Sequence, residues 1–209
     1  MTEYDLFADV YDQQYGTTTF DLDFYVEEAQ AAQPPVLELA CGTGRVTLSI
    51  AQAGVPIVGV DSSARMLDKA RAKGQNLGDL PVRWVEADMR DFSLDERFGL
   101  AIIPARSFLH LLHPEDQVQA LSNIGEHLAT GGKLALNLFV PDLKMIAEHT
   151  TTAQQMLKFL QEYTDATSGA RVAVWESRRY DLHRQCIYQQ YRYEQLDDDG
   201  FVVATRYRN

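Results

Sequence analysis

The apolar positions change rhythm along the chain. Between residues 36 and 142, short apolar runs alternate with longer stretches whose apolar residues recur at helical spacing. The runs at 36–40, 56–61, 82–90, 98–104 and 133–140 read as strands, the third together with its exit. The stretches at 45–53 and 64–75 read as helices, with Gly54 capping the first. A further helix opens at Pro114, with Glu115 and Asp116 in its first turn. Val118, Leu121, Ile124 and Leu128 are its expected buried face, and Gly131-Gly132 its expected end. The run at 98–104 is the most continuously apolar, which suits a strand covered on both faces. Such alternation predicts an α/β fold with a doubly wound, mostly parallel sheet and helices on both faces.

Upstream, Leu6, Phe7, Val10, Tyr11 and Gln14 have near-helical spacing, with aromatics at Tyr4, Phe7, Tyr11 and Tyr15. They predict an amphipathic helix. After a break at Gly16-Thr17-Thr18-Thr19, a second helix is expected over 20–32. Phe24, Tyr25 and Ala29 should face inward, and Pro34-Pro35 should stop it. Downstream, residues 143–164 read as one or two helices, with Ile146, Met156, Leu157, Leu160 and Tyr163 as apolar points. Residues 171–180, 185–195 and 201–208 then read as three strands of an antiparallel β-meander. Asp197-Asp198-Asp199-Gly200 is the hairpin turn between the last two. The expected organisation is a core over 1–142, with N-terminal helices, and an appended helical and antiparallel region over 143–209.

Composition narrows the class. A hydrophobic share of 45% over 209 residues supports a real core. The formal net charge of -11 argues against a broad nucleic-acid footprint and against docking on anionic membranes. No apolar run approaches the roughly 20 residues of a spanning helix. The acidic start, Met1-Thr2-Glu3-Tyr4-Asp5, lacks the plan of a signal peptide, so a cytoplasmic setting is expected. Cys41 and Cys186 form no metal motif, and no metal is expected.

The chemistry concentrates where the first strand of the alternation turns into its helix, at Glu38-Leu39-Ala40-Cys41-Gly42-Thr43-Gly44-Arg45-Val46. Glycines let the backbone turn sharply and let a ligand approach it closely. The free N–H groups of the new helix then face that ligand. A dinucleotide site wants a third glycine, and Thr47 stands in its place. A Walker loop is absent as well. Glu38, just before the turn, suits a ligand with an ammonium group and repels pyrophosphate. Asp61 follows Gly42 by nineteen positions, at the end of the second strand, where an acid accepts hydrogen bonds from ribose hydroxyls. Alternatively it caps the next helix, since Asp61-Ser62-Ser63 is good capping chemistry.

The glycine turn resembles the first motif of the class I S-adenosylmethionine-dependent methyltransferases that act on small molecules. Val60-Asp61-Ser62-Ser63-Ala64-Arg65-Met66-Leu67, Ala87-Asp88-Met89, and the run from Leu128 through Gly131-Gly132-Lys133-Leu134 to Leu138 resemble further motifs of that family. The resemblance covers 36–142 and reaches upstream to Tyr11-Asp12 and Tyr15. It implies S-adenosyl-L-methionine as cofactor, held around Glu38, Ala40, Cys41, Gly42 and Gly44, with Asp61 and Ser62 at the ribose. Met66 then packs near the adenosine, or is plain core. Asp88 meets the adenine amino group with Met89 against the ring, or makes an Asx turn. Tyr11 covers the cofactor as part of a lid, or belongs to a packed helix. Ala105 and Arg106 run beneath the cofactor's methionine part and border the substrate.

The implied reaction is methyl transfer to a small-molecule nitrogen or oxygen acceptor. His110 is the candidate general base, or a packed histidine among Leu109, Leu111 and Leu112; an amine that arrives neutral needs no base. Arg106 attracts an acidic acceptor or pairs with a carboxylate. The Asn-Pro-Pro-Tyr-type motif of nucleic-acid amino methyltransferases is absent, with Pro104-Ala105-Arg106-Ser107 in its place. In the tail, Trp175, Tyr180, Tyr188, Tyr191, Tyr193 and Tyr207 stand among Arg178, Arg179, Arg192, Arg206 and Arg208. Such mixtures bind single strands, but Glu176, Asp181, Glu194 and Asp197 to Asp199 argue against nucleic acid here. A substrate lid, or a contact in a homodimer, is expected instead. The family fold closes with a further helix and hairpin, and the chain stops at Asn209 where these would begin. The final family strands are therefore expected to be missing, with the meander or a second copy covering the fifth strand's edge. Two alternatives stay open: a cofactor-binding protein without turnover, and a nicotinamide oxidoreductase, which Thr47 and Glu38 disfavour.

Overall fold

The computed structural model describes residues 3–16, 18–140, 142–148, 157–165 and 168–208. Their packing divides into two compact units, Met1–Phe139 and Val140–Asn209. The first unit runs α1 (Glu3–Tyr15), α2 (Leu22–Ala31), β1 (Val36–Leu39), α3 (Arg45–Gln52), β2 (Ile57–Asp61), α4 (Ala64–Gln75) and β3 (Val82–Glu86). It continues with β4 (Phe98–Ile103), a 3-10 turn (Ser107–His110), α5 (Pro114–His127) and β5 (Leu128–Leu136). All its strand pairs are parallel, in the order β3-β2-β1-β4-β5. The chain thus builds outward from β1 on one side, then returns to its other side with β4. The carboxyl ends of β1 and β4 flank the reversal, which is where open α/β sheets hold their ligands.

Both faces of this sheet are covered. Leu37, Leu39, Val58 and Val60 enter one apolar core with Ala120 and Ile124 of α5. The alternate positions Val36, Ile57, Leu100 and Ile102 enter the other, with Tyr25 and Ala29 of α2 and Val46 and Ile50 of α3. The two-residue period of a strand sends neighbours to opposite faces, so β1 and β2 are buried throughout.

Three expectations need correction in this unit. Phe24 is 54% exposed, because the buried stripe of α2 passes through Tyr25 and Ala29 and leaves Phe24 about 100° away. On α5 the inward stripe is Ala120, Ile124 and His127, whereas Val118 and Leu121 face outward. The glycine pair does not end α5. Gly131 and Gly132 lie inside β5, whose register against β4 shifts between Phe98 and Leu100. A side chain at Gly132 would come within 2.9 Å of the Phe98 carbonyl oxygen. The pair therefore serves a bulge with close backbone approach.

The second unit holds α6 (Leu143–Glu148), β6 (Lys158–Thr164), β7 (Arg171–Asp181), β8 (Cys186–Leu196) and β9 (Val202–Arg208). The strands form an antiparallel sheet in the order β6-β7-β8-β9. Residues 158–164 are thus a strand and not helix: Phe159, Tyr163 and Thr164 favour strands, and β7 supplies the partner backbone. Met156 and the side chains of Leu6, Phe7 and Val10 lie outside the described residues. The turn between β8 and β9 closes by Asp197 N–H donating to the Phe201 carbonyl at 3.0 Å, with Gly200 at φ 87. Among the described residues no helix is long and apolar enough to cross a membrane.

Candidate functional site

After β1 the chain turns through Ala40, Gly42 and Gly44 at φ 54, 56 and 80. The two glycines have different tasks. A side chain at Gly44 would meet Trp84 at 2.7 Å and Ala70 at 3.2 Å, so this glycine lets α3 start tight against β3 and α4. A side chain at Gly42 would meet nothing within 4 Å, so the loop is open to an incoming ligand on that side. Gly44 is also the N-cap of α3 and brings no side-chain acceptor to its first turn. Cys41, between Ala40 and Gly42, is buried, donates its N–H to the Val60 carbonyl at 3.0 Å, and has its thiol pushed up by burial.

Asp61 ties this loop to the next one. Its Oδ2 accepts from Gly42 N–H at 2.7 Å and its Oδ1 from Ser63 N–H at 2.8 Å. The helix cap proper is Ser63, whose hydroxyl accepts from Met66 N–H at 3.2 Å. A carboxylate offers about four acceptor positions, so two backbone bonds do not by themselves saturate Asp61. Ser62 is exposed beside it, whereas Met66 is 1% exposed and enclosed by protein. Glu38 is buried and takes a hydrogen bond from the Thr47 hydroxyl. Burial pushes its carboxyl up to about 8, against the pull of Thr47 and Arg45. Arg45 itself forks onto Asp21 at 2.6 and 2.9 Å and donates to the Thr18 carbonyl at 2.9 Å. That fork holds Asp21 below the usual carboxylate range.

The N-terminal helix reaches both sides of the reversal. On α1, Asp12 accepts from the Thr43 hydroxyl at 2.5 Å and pairs with Lys73 of α4 at 3.0 Å. Tyr11 beside it is half-buried, 6.4 Å from the Tyr4 ring and 5.1 Å from the Tyr15 ring, and burial raises its phenol. Tyr4 shares a 2.9 Å hydrogen bond with His110 Nε2, their rings edge-on at 5.5 Å. His110 is exposed at the end of the turn after β4. In the same segment Ala105 and Arg106 are exposed and left-handed, at φ 55 and 62. Arg106 N–H donates to Asn137 Oδ1 at 2.8 Å, and its guanidinium lies 5.9 Å from the Phe139 ring centre. Among the described residues four non-glycine residues have positive φ, and Ala40, Ala105 and Arg106 are three of them. Backbone strain gathered at two neighbouring strand ends is a mark of a functional site.

At the exit of β3, Ala87 N–H donates to the Asp61 carbonyl at 3.1 Å. The Asp88 carboxylate is held by Arg90 and lies below the usual carboxylate range because of it. Met89 is half-buried against the core. Several parts of this site are absent from the sequence reading: Trp84, the Asp12–Lys73 pair, the Asp21–Arg45 fork, and Arg90. Thr47 was visible as the missing third glycine, which was the one available signal of its bond to Glu38.

Residues 36–132 match a family described as a methyltransferase domain. The cypemycin N-terminal methyltransferase of a Streptomyces species is 34% identical over 106 residues, 51% of this chain and 42% of that protein. The glycine/sarcosine N-methyltransferase of Halorhodospira halochloris is 31% identical over 118 residues, 55% of this chain and 44% of that protein. The chain spans about half the length of the curated relatives it matches. Among solved structures, the CcbJ methyltransferase of Streptomyces caelestis superposes with a TM-score of 0.73 at 26% identity, covering 100% of this chain and 79% of that one.

Proposed function

We propose, from the premise that residues 36–132 belong to the class I S-adenosylmethionine-dependent methyltransferase family, that the chain transfers a methyl group from that cofactor to a nitrogen of a small molecule. The observation that carries the proposal is the joint placement of Gly42's open side, Asp61 and Asp88 at the carboxyl ends of β1, β2 and β3. These residues fit the parts of the cofactor. The open loop and the uncapped start of α3 suit the carboxylate of the methionine part. Asp61, with Ser62 beside it, suits the ribose hydroxyls, and Asp88 with Met89 suits the adenine amine and ring. Tyr11 covers the site, and Ala105 and Arg106 border it. Glu38 and Met66 are enclosed, so Glu38 acts through the loop's electrostatics and Met66 through the packing of α4.

When bound, S-adenosylmethionine supplies a methyl already made electrophilic by its sulfonium. The chain's own residues orient the partners and exclude water, which supplies up to roughly 7–11 kcal/mol in favourable systems. The helix α1, held by Asp12 on one side and Tyr4 on the other, spans the crevice between the ends of β1 and β4. His110 Nε2 is engaged by Tyr4, which favours an amine that arrives neutral over a phenol that needs a base. The relative named as a glycine/sarcosine N-methyltransferase supports the same choice. The second unit's proposed part is acceptor selection or contact with a second copy.

The test is transfer of labelled methyl to a panel of amino acids, amino sugars, a peptide amino terminus and simple phenols. Label should enter amines, with equimolar S-adenosylhomocysteine formed. Labelling of phenols alone would overturn the nitrogen assignment. Cofactor binding with no transfer to any acceptor would leave a binding protein without turnover.

A further inference from the structure

The Asp88 carboxylate is nearly filled by one neighbour. Its Oδ1 accepts from Arg90 backbone N–H and from Arg90 Nε, each at 2.9 Å, and its Oδ2 accepts from Arg90 Nη2 at 2.7 Å. Of about four acceptor positions on a carboxylate, the fourth is on Oδ2. Arg90 is itself tethered, because its Nη1 donates to Asp116 Oδ1 at 3.1 Å in the first turn of α5. The backbone beneath is closed by Asp91 and Phe92 N–H donating to the Asp88 carbonyl at 3.2 and 3.0 Å. A two-point guanidinium fork fixes the plane of a carboxylate and keeps it ionised. Such a group accepts one more N–H and donates none. The turn and the ligand therefore do not compete for Asp88: the turn uses Oδ1 and the carbonyl, Arg90 Nη2 takes one position on Oδ2, and the second position on Oδ2 remains.

We infer, on the reading of Asp88 as the adenine acceptor, that Asp88, Arg90 and Asp116 form a selectivity element that admits a 6-amino purine and rejects a 6-oxo purine, with Arg90 as its positioning residue. A 6-amino group brings an N–H to Oδ2. A 6-oxo group brings a second acceptor, and two acceptors face to face repel.

The test is calorimetric titration of the whole chain with S-adenosylhomocysteine and with its deaminated form, S-inosylhomocysteine. The wild type should prefer the amino form by about 10–100-fold, as for a hydrogen bond to a charged group. Arg90→Met should bring the two affinities toward parity. Arg90→Lys, which keeps the charge but not the fork, should restore only part of the preference. Asp88→Asn, whose amide donates to a 6-oxo group, should narrow or reverse it. If Arg90→Met lowers both affinities by one factor and keeps their ratio, Arg90 is merely structural and the inference falls, while the adenine role of Asp88 stands. If the wild type binds both forms equally, the adenine role of Asp88 falls as well. If it binds neither, the cofactor reading itself is overturned.

Discussion

Glu38, at the end of β1 in the parallel sheet, and Glu176, midway along β7 in the antiparallel one, are both buried acids, 2% and 5% exposed. Glu176 is met by a cation of its own strand, with Arg178 at 2.8 Å, and by the Gln189 amide, which also lies 2.6 Å from the Tyr191 hydroxyl. Glu38 is met by the neutral hydroxyl of Thr47, while the nearby guanidinium of Arg45 is committed to Asp21. Burial accordingly pushes Glu38 up to about 8. One sheet answers its buried acid with its own charge and is self-contained. The loop edge of the other leaves an acid that gains from a proton or from a positive ligand. That difference supports the loop edge as the proposed place of the chemistry and gives Glu176 a structural charge balance.

The same substitution should have opposite signs in the two regions. Glu38 has a folded value of about 8 against an ordinary 4.5, so the folded chain keeps a proton that the unfolded chain releases between them. Stability should fall as pH rises through that window, by up to roughly 1.4 kcal/mol per pH unit. Glu38→Gln mimics the neutral form. It should leave stability near that of the wild type at pH 4.5 and raise it by roughly 2–4 kcal/mol by pH 8. Parallel pH profiles of urea unfolding for the two proteins would break the comparison. Glu176→Gln should act the other way and more weakly. It leaves the half-buried Arg178 without its carboxylate and should lower stability by about 1–3 kcal/mol at pH 7. An unchanged urea midpoint would show that Arg178 is not the partner that matters.

What could be read from the sequence follows how local each cause is. The strands β1 to β4 and the helices α3 and α4 were legible because two-residue and helical periods are written within each segment. The start of β5 was not, because Gly132 answers to the Phe98 carbonyl on a neighbouring strand. The strand at 158–164 was missed because its cause is pairing with β7, which no short window contains. At the site, Gly42, Gly44, Asp61 and Asp88 could be picked out by spacing. The division between an open Gly42 and a packed Gly44 could not, since it depends on Trp84 from two strands away in the sheet. The placement of Asp61 against the Gly42 N–H, likewise, is a fact of tertiary structure that spacing only suggested.

That contact joins the glycine loop to the proposed ribose acceptor, so Asp61 is the residue to change first. Purified wild type and Asp61→Ala should be titrated calorimetrically with S-adenosylmethionine and S-adenosylhomocysteine, with NAD as control. Both sulfur ligands should bind the wild type in the micromolar range, NAD should not bind, and Asp61→Ala should lose binding. That variant removes at once the acceptor of Gly42 N–H and the proposed ribose acceptor. Undiminished binding in the variant, or NAD binding in preference to the sulfur ligands, would contradict the proposed role of Asp61.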